Sequence, residues 1–389
     1  MRRIFNTRSR PRSATAALAV SLVLTANLVV GSSAAGVAGG HTARLSEWPY
    51  VAALYRTTGG SIWDTQFCGG TVVAPTKVVT AAHCIWGEDG SLEQPLVQIA
   101  VRMGDLGLRG VEGESAGIVD ATRPPLIFPP FSPDIAVLTL DRAVSATPAR
   151  VSGDSRWAVR PASSVWTAGW GVDPADGFFP QDLREVELRP LTPGTCKTLV
   201  GSTSFDVCAG EPESGGVDSC QGDSGGPLTG WGVNGEEYLV GIVSGGFGCG
   251  LAFLPGIYTR PDFAPIAAWL QSQEVPVVFD TGAAQAPRIR PDLVVIRARV
   301  RVGSPLRVNY VIRAASSKTV EEITILLAGR AVAFRSTTLS RTVPGGRYFL
   351  DILKRTPAYL RGRTPLACVV SVDEFGNASK RRCVALHVS

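Results

Sequence analysis

Asp218-Ser219-Cys220-Gln221-Gly222-Asp223-Ser224-Gly225-Gly226-Pro227 sets one serine among glycines, with an aspartate directly before it and a second six residues upstream. A serine hydroxyl is a weak nucleophile until a base stands beside it. Flanking glycines let a substrate backbone approach closely and admit turns that other residues resist. Such a turn can aim the N–H groups of Gly222 and Ser224 at one point, which suits an oxyanion. A Gly-rich surface turn has the same composition. The stretch therefore acquires meaning only from partners elsewhere in the chain.

The base such a serine needs is an imidazole, itself oriented by a carboxylate. The chain has three histidines, His41, His83 and His387. His83 lies in Thr80-Ala81-Ala82-His83-Cys84, preceded by Cys68-Gly69-Gly70-Thr71. Asp134 opens Asp134-Ile135-Ala136-Val137-Leu138. Val37-Ala38-Gly39-Gly40, Ala168-Gly169-Trp170-Gly171 and Pro255-Gly256-Ile257-Tyr258-Thr259 complete an ordered set. Taken together, residues 37 to about 273 resemble a trypsin-like serine protease of the chymotrypsin fold.

That resemblance implies roles for particular residues. Ser224 would attack the scissile carbonyl, His83 would carry its proton, and Asp134 would hold the imidazole tautomer. Gly222 and Ser224 would supply the oxyanion hole. Asp218 matches the base of the primary specificity pocket, where a carboxylate pairs with a substrate Arg or Lys. Ser219 matches a pocket hydroxyl, and Gly246 and Gly256 match the small wall positions. Ser244 and Gly246 would pair with substrate backbone. Asp223 would form an ion pair with the α-amino group of a mature chain beginning at Val37. Two departures stand out. Ser244-Gly245-Gly246 lacks the tryptophan usual at the middle position, which removes an apolar wall. No basic residue precedes Val37; Ala34-Ala35-Gly36 stands there instead. Some relatives hold calcium in the loop that corresponds to 105–115. Asp105 and Glu112 are acids suited to that ion, but Ser115 occupies a ligand position, so a solvated loop is the stronger expectation. No other cofactor or metal is expected.

The rest of the chain fits an exported protein. Arg2, Arg3, Arg8, Arg10 and Arg12 precede an apolar run over 14–31 and a small-residue zone over 32–36, the pattern of a signal peptide over residues 1–36. Export favours disulfides for the eight cysteines. They are read as Cys68–Cys84, Cys196–Cys208, Cys220–Cys249 and Cys368–Cys383. Zinc is the weaker reading, because no C-x-x-C pair is present.

Hydrophobic residues make up 45% and charged residues 18% of the 389, enough for packed cores. Forty-three glycines and 27 prolines favour short strands and turns. Strand-like runs fall at 50–55, 70–73, 97–103, 135–140, 164–166 and 238–243. Convincing helical spacing occurs only over 262–273, with Asp262 as its expected cap. The expectation is all-β: a double antiparallel β-barrel of chymotrypsin type with a C-terminal helix over 37–274. Charge then changes sign. Residues 36–274 hold 14 basic and 26 acidic side chains, whereas 275–389 hold 19 and 7. This asymmetry marks a boundary. Residues 275–291 read as a linker. Strand-like runs at 293–302, 306–314, 322–327, 347–352, 368–372 and 383–388 predict a small Ig-like β-sandwich over 292–389, with a hairpin turn at 373–377. Its basic surface would attract anionic cell-wall polymers or glycans, dock on the acidic region, or act as a spacer. Nucleic acid is not expected. The whole predicts a secreted, monomeric endopeptidase acting on protein or peptide substrates after Arg or Lys. The alternative is a catalytically silent protease-fold binding protein.

Overall fold

A computed structural model describes residues 37–389 except 111, 126–131, 157–158, 160–162, 233, 280–290, 297–298, 315–318, 340–345 and 374–377. The expected turn at 373–377 lies almost wholly outside the described residues, as do the leader and most of the expected linker. Six strands close into a barrel in the order Val51–Arg56, Gln66–Ala74, Lys77–Thr80, Ala136–Leu140, Glu114–Thr122 and Ile99–Met103. A nine-stranded sheet follows, built mainly from antiparallel neighbours. Its central path runs through Arg184–Leu188, Val165–Gly169, Pro227–Trp231, Glu237–Gly245 and Gly256–Thr259. The alternation of small and branched residues in these strands feeds one large buried cluster, which joins Leu54, Val79 and Leu138 of the barrel to Ala168 and Ile242 of the sheet.

Two helices flank the sheet. Ala264–Ser272 buries Ile266, Ala267 and Leu270, as the spacing predicts. It begins two residues later than expected, however, and Asp262 does not cap it. Asp262 instead pairs with Arg260 at 2.7 Å and accepts the Ser155 N–H at 3.0 Å. The second helix, Pro193–Val200, has too short an apolar stripe to show in hydrophobic spacing. Its termini specify it: Thr192 accepts the Thr195 N–H at 3.2 Å, Pro193 starts it, and Gly201 ends it at φ +75°. The first residues of the expected linker also belong to the sheet, since Val277–Val278 pairs with Val151–Ser152.

The C-terminal region is β-rich. Asp292–Ile296, Leu306–Ala314 and Gly346–Leu353 form one sheet; Arg330–Leu339, Thr319–Leu327, Leu366–Asp373 and Arg382–Ala385 form another. Both contribute to a single core around Val308, Ile312, Ile323 and Val369. Strand Arg330–Leu339 escapes the sequence reading because its pattern is only partly apolar. The four expected disulfides are all present.

The basic region docks onto helix Pro193–Val200. Phe334 packs with Leu191, Cys196 and Cys208. Glu322, 1% exposed, reaches across and accepts the Thr192 hydroxyl at 2.7 Å and its N–H at 3.2 Å. Arg335 faces Glu213 at 3.5 Å. Burial raises the Glu322 pKa, and hydrogen bonds from Thr195 and Thr192 only partly offset it. A carboxyl raised on folding adds no penalty in acid, where both states are protonated. It destabilises as pH climbs past ~4.3, where the unfolded group ionises. Glu322→Gln keeps an acceptor for Thr192 and is expected to gain stability over wild type as pH rises from 4 to 8. Glu322→Ala should lose about 1–3 kcal/mol by stranding the Thr192 donors. Chemical denaturation across that pH range checks both; a wild-type advantage growing with pH would contradict the account.

Candidate active site

His83 sits in a short turn, Ala82–Cys84, just after strand Lys77–Thr80. The Cys68–Cys84 disulfide ties that turn to strand Gln66–Ala74. Asp134 lies two residues before strand Ala136–Leu140, which pairs with Lys77–Thr80. Neighbouring strands therefore bring the two together. The His83 Nδ1 lies 2.8 Å from Asp134 Oδ2, and the His83 backbone N–H donates to Oδ1 at 3.0 Å. The Ser244 hydroxyl donates to the same Oδ2 at 2.6 Å. Burial works against the charge on both groups. The hydrogen bond and charge between them win, so the His83 pKa is raised and that of Asp134 is lowered. An ionised Asp134 then favours the tautomer with the proton on Nδ1, leaving Nε2 as the free acceptor.

Ser224 is strapped between the two halves of the fold. Its carbonyl accepts the Gly69 N–H at 2.7 Å, and the next residue, Gly225, donates to Val243 O at 2.7 Å. The Cys84 sulfur lies 3.6 Å from the Ser224 carbonyl, which sets the serine loop beside the histidine turn. Preceding it, Asp223 is wholly buried, and its oxygens accept the Gly171 N–H at 2.7 Å and the Cys220 N–H at 2.8 Å. Burial pushes its pKa up to about 7 against those two hydrogen bonds.

Two groups orient the Gly222 peptide. The Gln221 carbonyl accepts the Val172 N–H at 2.7 Å, and the Gly222 carbonyl accepts from Gln66 Nε2 at 2.8 Å. A trans peptide is planar, so pinning the Gln221 carbonyl one way turns the Gly222 N–H the other. Among the described residues neither the Gly222 nor the Ser224 N–H has an acceptor. Gln66 was absent from the sequence reading. It lies 156 residues from Gly222, and nothing local marks a glutamine in a strand as a brace. Likewise the bond from Ser244 to Asp134 spans 110 residues; sequence reading placed Ser244 only against substrate.

Beside Ser224 opens a cavity of about 150 Å³, with Asp218, Ser219, Val243 and Gly246 among its lining residues. Pockets for drug-sized ligands measure ~300–1,000 Å³; this space suits one side chain. Asp218 is 1% exposed. Its Oδ2 accepts the Gly250 N–H at 3.1 Å, while its buried Oδ1 has no hydrogen-bond partner. Burial pushes its pKa up to about 7, with backbone hydrogen bonds from Gly250 and Ser219 opposing and the Asp223 charge adding. Gly256 is required here: a Cβ would sit 2.3 Å from Asp218 Oδ1. Ser219 bonds to the Tyr258 hydroxyl at 3.2 Å. At Gly245, the position lacking tryptophan, a Cβ would meet open space.

Val37 is fully buried, and Ala38 bridges to Asp218, whose N–H donates to the Ala38 carbonyl at 3.2 Å. In the loop at 105–115 the Asp105 carboxylate is already engaged by described residues. The Asp105 Oδ2 already takes Arg102 Nε at 2.6 Å and Nη2 at 2.5 Å, and Oδ1 takes the Gly113 N–H at 3.1 Å. Glu112 is exposed, and Glu114 is bonded to Ser145. The Arg102 guanidinium lies against Asp105 and reaches the Gly110 carbonyl at 3.5 Å. Among the described residues the one cluster with metal-ligand spacing is Cys68, His83 and Cys84, and both sulfurs are in a disulfide.

Residues 37–270 match the Trypsin family model. A trypsin of Saccharopolyspora erythraea is 35% identical over 231 residues, covering 58% of this chain and 92% of that protein. Trypsin-1 of Astacus astacus is 31% identical over 249 residues, with 61% of this chain and all of that protein covered. The proclotting enzyme of Tachypleus tridentatus is 34% identical over 241 residues, of which the match spans 63% of that longer protein. With the paired His83 and Asp134 beside Ser224 and a family match spanning most of the described barrel and sheet, the chain belongs to the trypsin family of serine endopeptidases.

Proposed function

We propose that this endopeptidase cleaves after Arg or Lys by an acyl-enzyme route on Ser224. The observation that carries the reading is a buried carboxylate, Asp218, with one unpartnered oxygen at a side-chain-sized cavity that Ser224 also lines. A guanidinium or ammonium entering that cavity would supply the missing partner. As the Ser224 Oγ attacks the carbonyl carbon, its proton passes to His83 Nε2, and Asp134 stabilises the imidazolium. The carbonyl oxygen, now negative, takes the N–H groups of Gly222 and Ser224. The tetrahedral species collapses as His83 returns the proton to the leaving amine. Water then repeats the sequence on the acyl-enzyme and frees Ser224. In hydrolysis of Arg, Lys and Phe peptide amides, Ser224→Ala should lower kcat by on the order of 10⁶. Asp218→Asn should cut kcat/KM for Arg amides by at least about 100-fold, ~3 kcal/mol. The pH limbs are separable. Asp218 must be ionised to take a cation, so KM for Arg substrates should rise as pH falls below about 7. His83 must be neutral, so kcat should fall on the same side for every substrate. Preference for Phe, or a KM for Arg that ignores pH, would refute the Asp218 role.

The mature start is proposed to be Val37, exposed by signal cleavage after Gly36. The small residues Ala34 and Gly36 suit that cleavage. Val37 holds φ +57°, a conformation that a β-branched residue resists within a chain. A chain terminus has no preceding carbonyl to clash. The freed amine would compensate the buried Asp223 carboxylate and order the loop it anchors. N-terminal sequencing of exported protein should read Val-Ala-Gly-Gly. A start at or before Ala35 in active enzyme would overturn this.

The basic C-terminal region is proposed to hold a secreted monomer against anionic surfaces such as cell-wall polymers. Arg299, Arg301, Arg330, Arg361 and Arg363 are exposed. Binding of the full chain to cell walls should weaken steeply between low and high salt. No retention at low salt would leave the region a docked spacer.

A further inference from the structure

A second cavity, of about 630 Å³, shares no lining residue with the cleft at Ser224. Trp48, Tyr50, Trp166 and Trp231 supply its aromatic lining, and Glu185 and Glu237 its carboxylates, with Glu47 also at the lining. The sheet fixes the arrangement. Glu185, Trp166, Trp231 and Glu237 stand on four successive strands of the nine-stranded sheet, and Trp231 is the register partner of Glu237. Trp48 and Tyr50 come from the segment just before strand Val51–Arg56.

The carboxylates are held in place by neutral donors. The Tyr50 hydroxyl donates to Glu237 Oε2 at 2.7 Å, and the Thr229 hydroxyl donates to Oε1 at 2.9 Å. Trp48 Nε1 donates to Glu185, which is only 6% exposed, and His41 Nε2 lies 3.0 Å from its other oxygen. Among the described residues no lysine or arginine pairs with either acid; Arg44 pairs with the outer Glu47 at 3.4 Å. Burial, with the charges of Glu47 and Glu185 adding, raises the Glu237 pKa. Trp231 is 60% exposed, a large apolar face left uncovered. Indole faces attract cations, and the attraction strengthens when the cation leaves water. Aromatic walls with oriented carboxylates and no resident lysine or arginine make a receptor for positive charge.

We propose that this cavity is a binding site, separate from the cleavage cleft, for an organic cation: a guanidinium or ammonium group on a short hydrocarbon stem. The head group would lie between ring faces and be neutralised by Glu185 and Glu237, with the stem covering Trp231. A basic side chain of another protein and a free amine share this chemistry.

The test uses the full chain carrying Ser224→Ala and Asp218→Asn, which removes cleavage and the carboxylate of the other cation pocket. Calorimetric titration with butylguanidinium should give saturable binding, and butylurea, its neutral counterpart, should not bind. Adding Trp231→Ala should weaken affinity by about 3- to 30-fold, the fold-change of a cation–π contact of ~0.5–2 kcal/mol. Glu237→Gln, which retains an acceptor for Tyr50, should weaken it similarly. In the otherwise unmodified enzyme, Trp231→Ala should leave hydrolysis of small amides unchanged. A blocked arginine peptide that binds more tightly than butylguanidinium would assign the site to a protein partner; equal affinity would assign it to free amines. No saturable binding, equal binding of butylurea, or affinity indifferent to Trp231→Ala would overturn the proposal.

Discussion

The site hangs on one carboxylate. Asp223 has no exposed surface, and its two oxygens reach two different loops, through Gly171 N–H and Cys220 N–H. Those loops approach so closely that a Cβ on Gly171 would lie 2.5 Å from the Asp223 carboxyl. The Asp223 backbone closes a turn on each side: its N–H donates to Cys220 O at 3.0 Å, and its carbonyl accepts the Gly226 N–H at 2.8 Å. Ser224 rides on that double turn and cannot shift without moving the buried acid. Two neutral donors do not compensate a buried negative charge, and its pKa of about 7 expresses the shortfall. The loop is thus held by a buried acid whose charge its hydrogen bonds only partly offset, and the terminal amine proposed at Val37 would offset the rest.

Three aspartates around the cleft show how environment divides one residue type into separate chemistries. Asp134 and Asp218 both meet desolvation, yet their pKa values move apart. Asp134 faces His83 and the Ser244 hydroxyl, so ionisation is favoured near neutrality. Asp218 faces backbone donors and a cavity, and burial makes its charge costly. Asp223 resembles Asp218 in cost but turns away from the cavity into the protein. In the mechanism we propose, the first acid holds a base, the second awaits substrate, and the third awaits the chain's own terminus.

What could be read from the sequence was what lies within a short window. His83, Asp134 and Ser224 stand out because several short motifs in one order resemble a single family, whereas no one motif alone singles out its residue. Strand cores, the terminal helix and the disulfide pairs follow from periodicity and cysteine placement. The contacts that stayed hidden join distant positions. Gln66 bracing Gly222 and Ser244 bonding Asp134 depend on how two halves of the fold meet, and no window contains both partners. Helix Pro193–Val200 was hidden for a different reason. It is specified by its caps and by a face that packs on the C-terminal region, so its apolar spacing is short. Asp262 shows the converse error: a residue type that caps helices found a stronger partner in Arg260.

The opposite charges of the two regions suggest electrostatic docking, but the contact is built otherwise. Its centre is Phe334, 4% exposed among Leu191 and the Cys196–Cys208 disulfide, beside a buried acid bonded to a threonine. Burying one such ring is worth ~1.5–3 kcal/mol. The Arg335–Glu213 pair lies with its arginine 47% exposed, where an ion pair contributes ~0–1 kcal/mol. Arg189 acts at longer range, partly offsetting the burial of Glu322. Docking of this kind resists salt, because apolar burial is not screened. Among the described residues Arg335 and Arg381 reach the contact, whereas Arg299, Arg301, Arg330, Arg361 and Arg363 are exposed. A module attached by apolar packing therefore stays with the protease beside it as ionic strength changes.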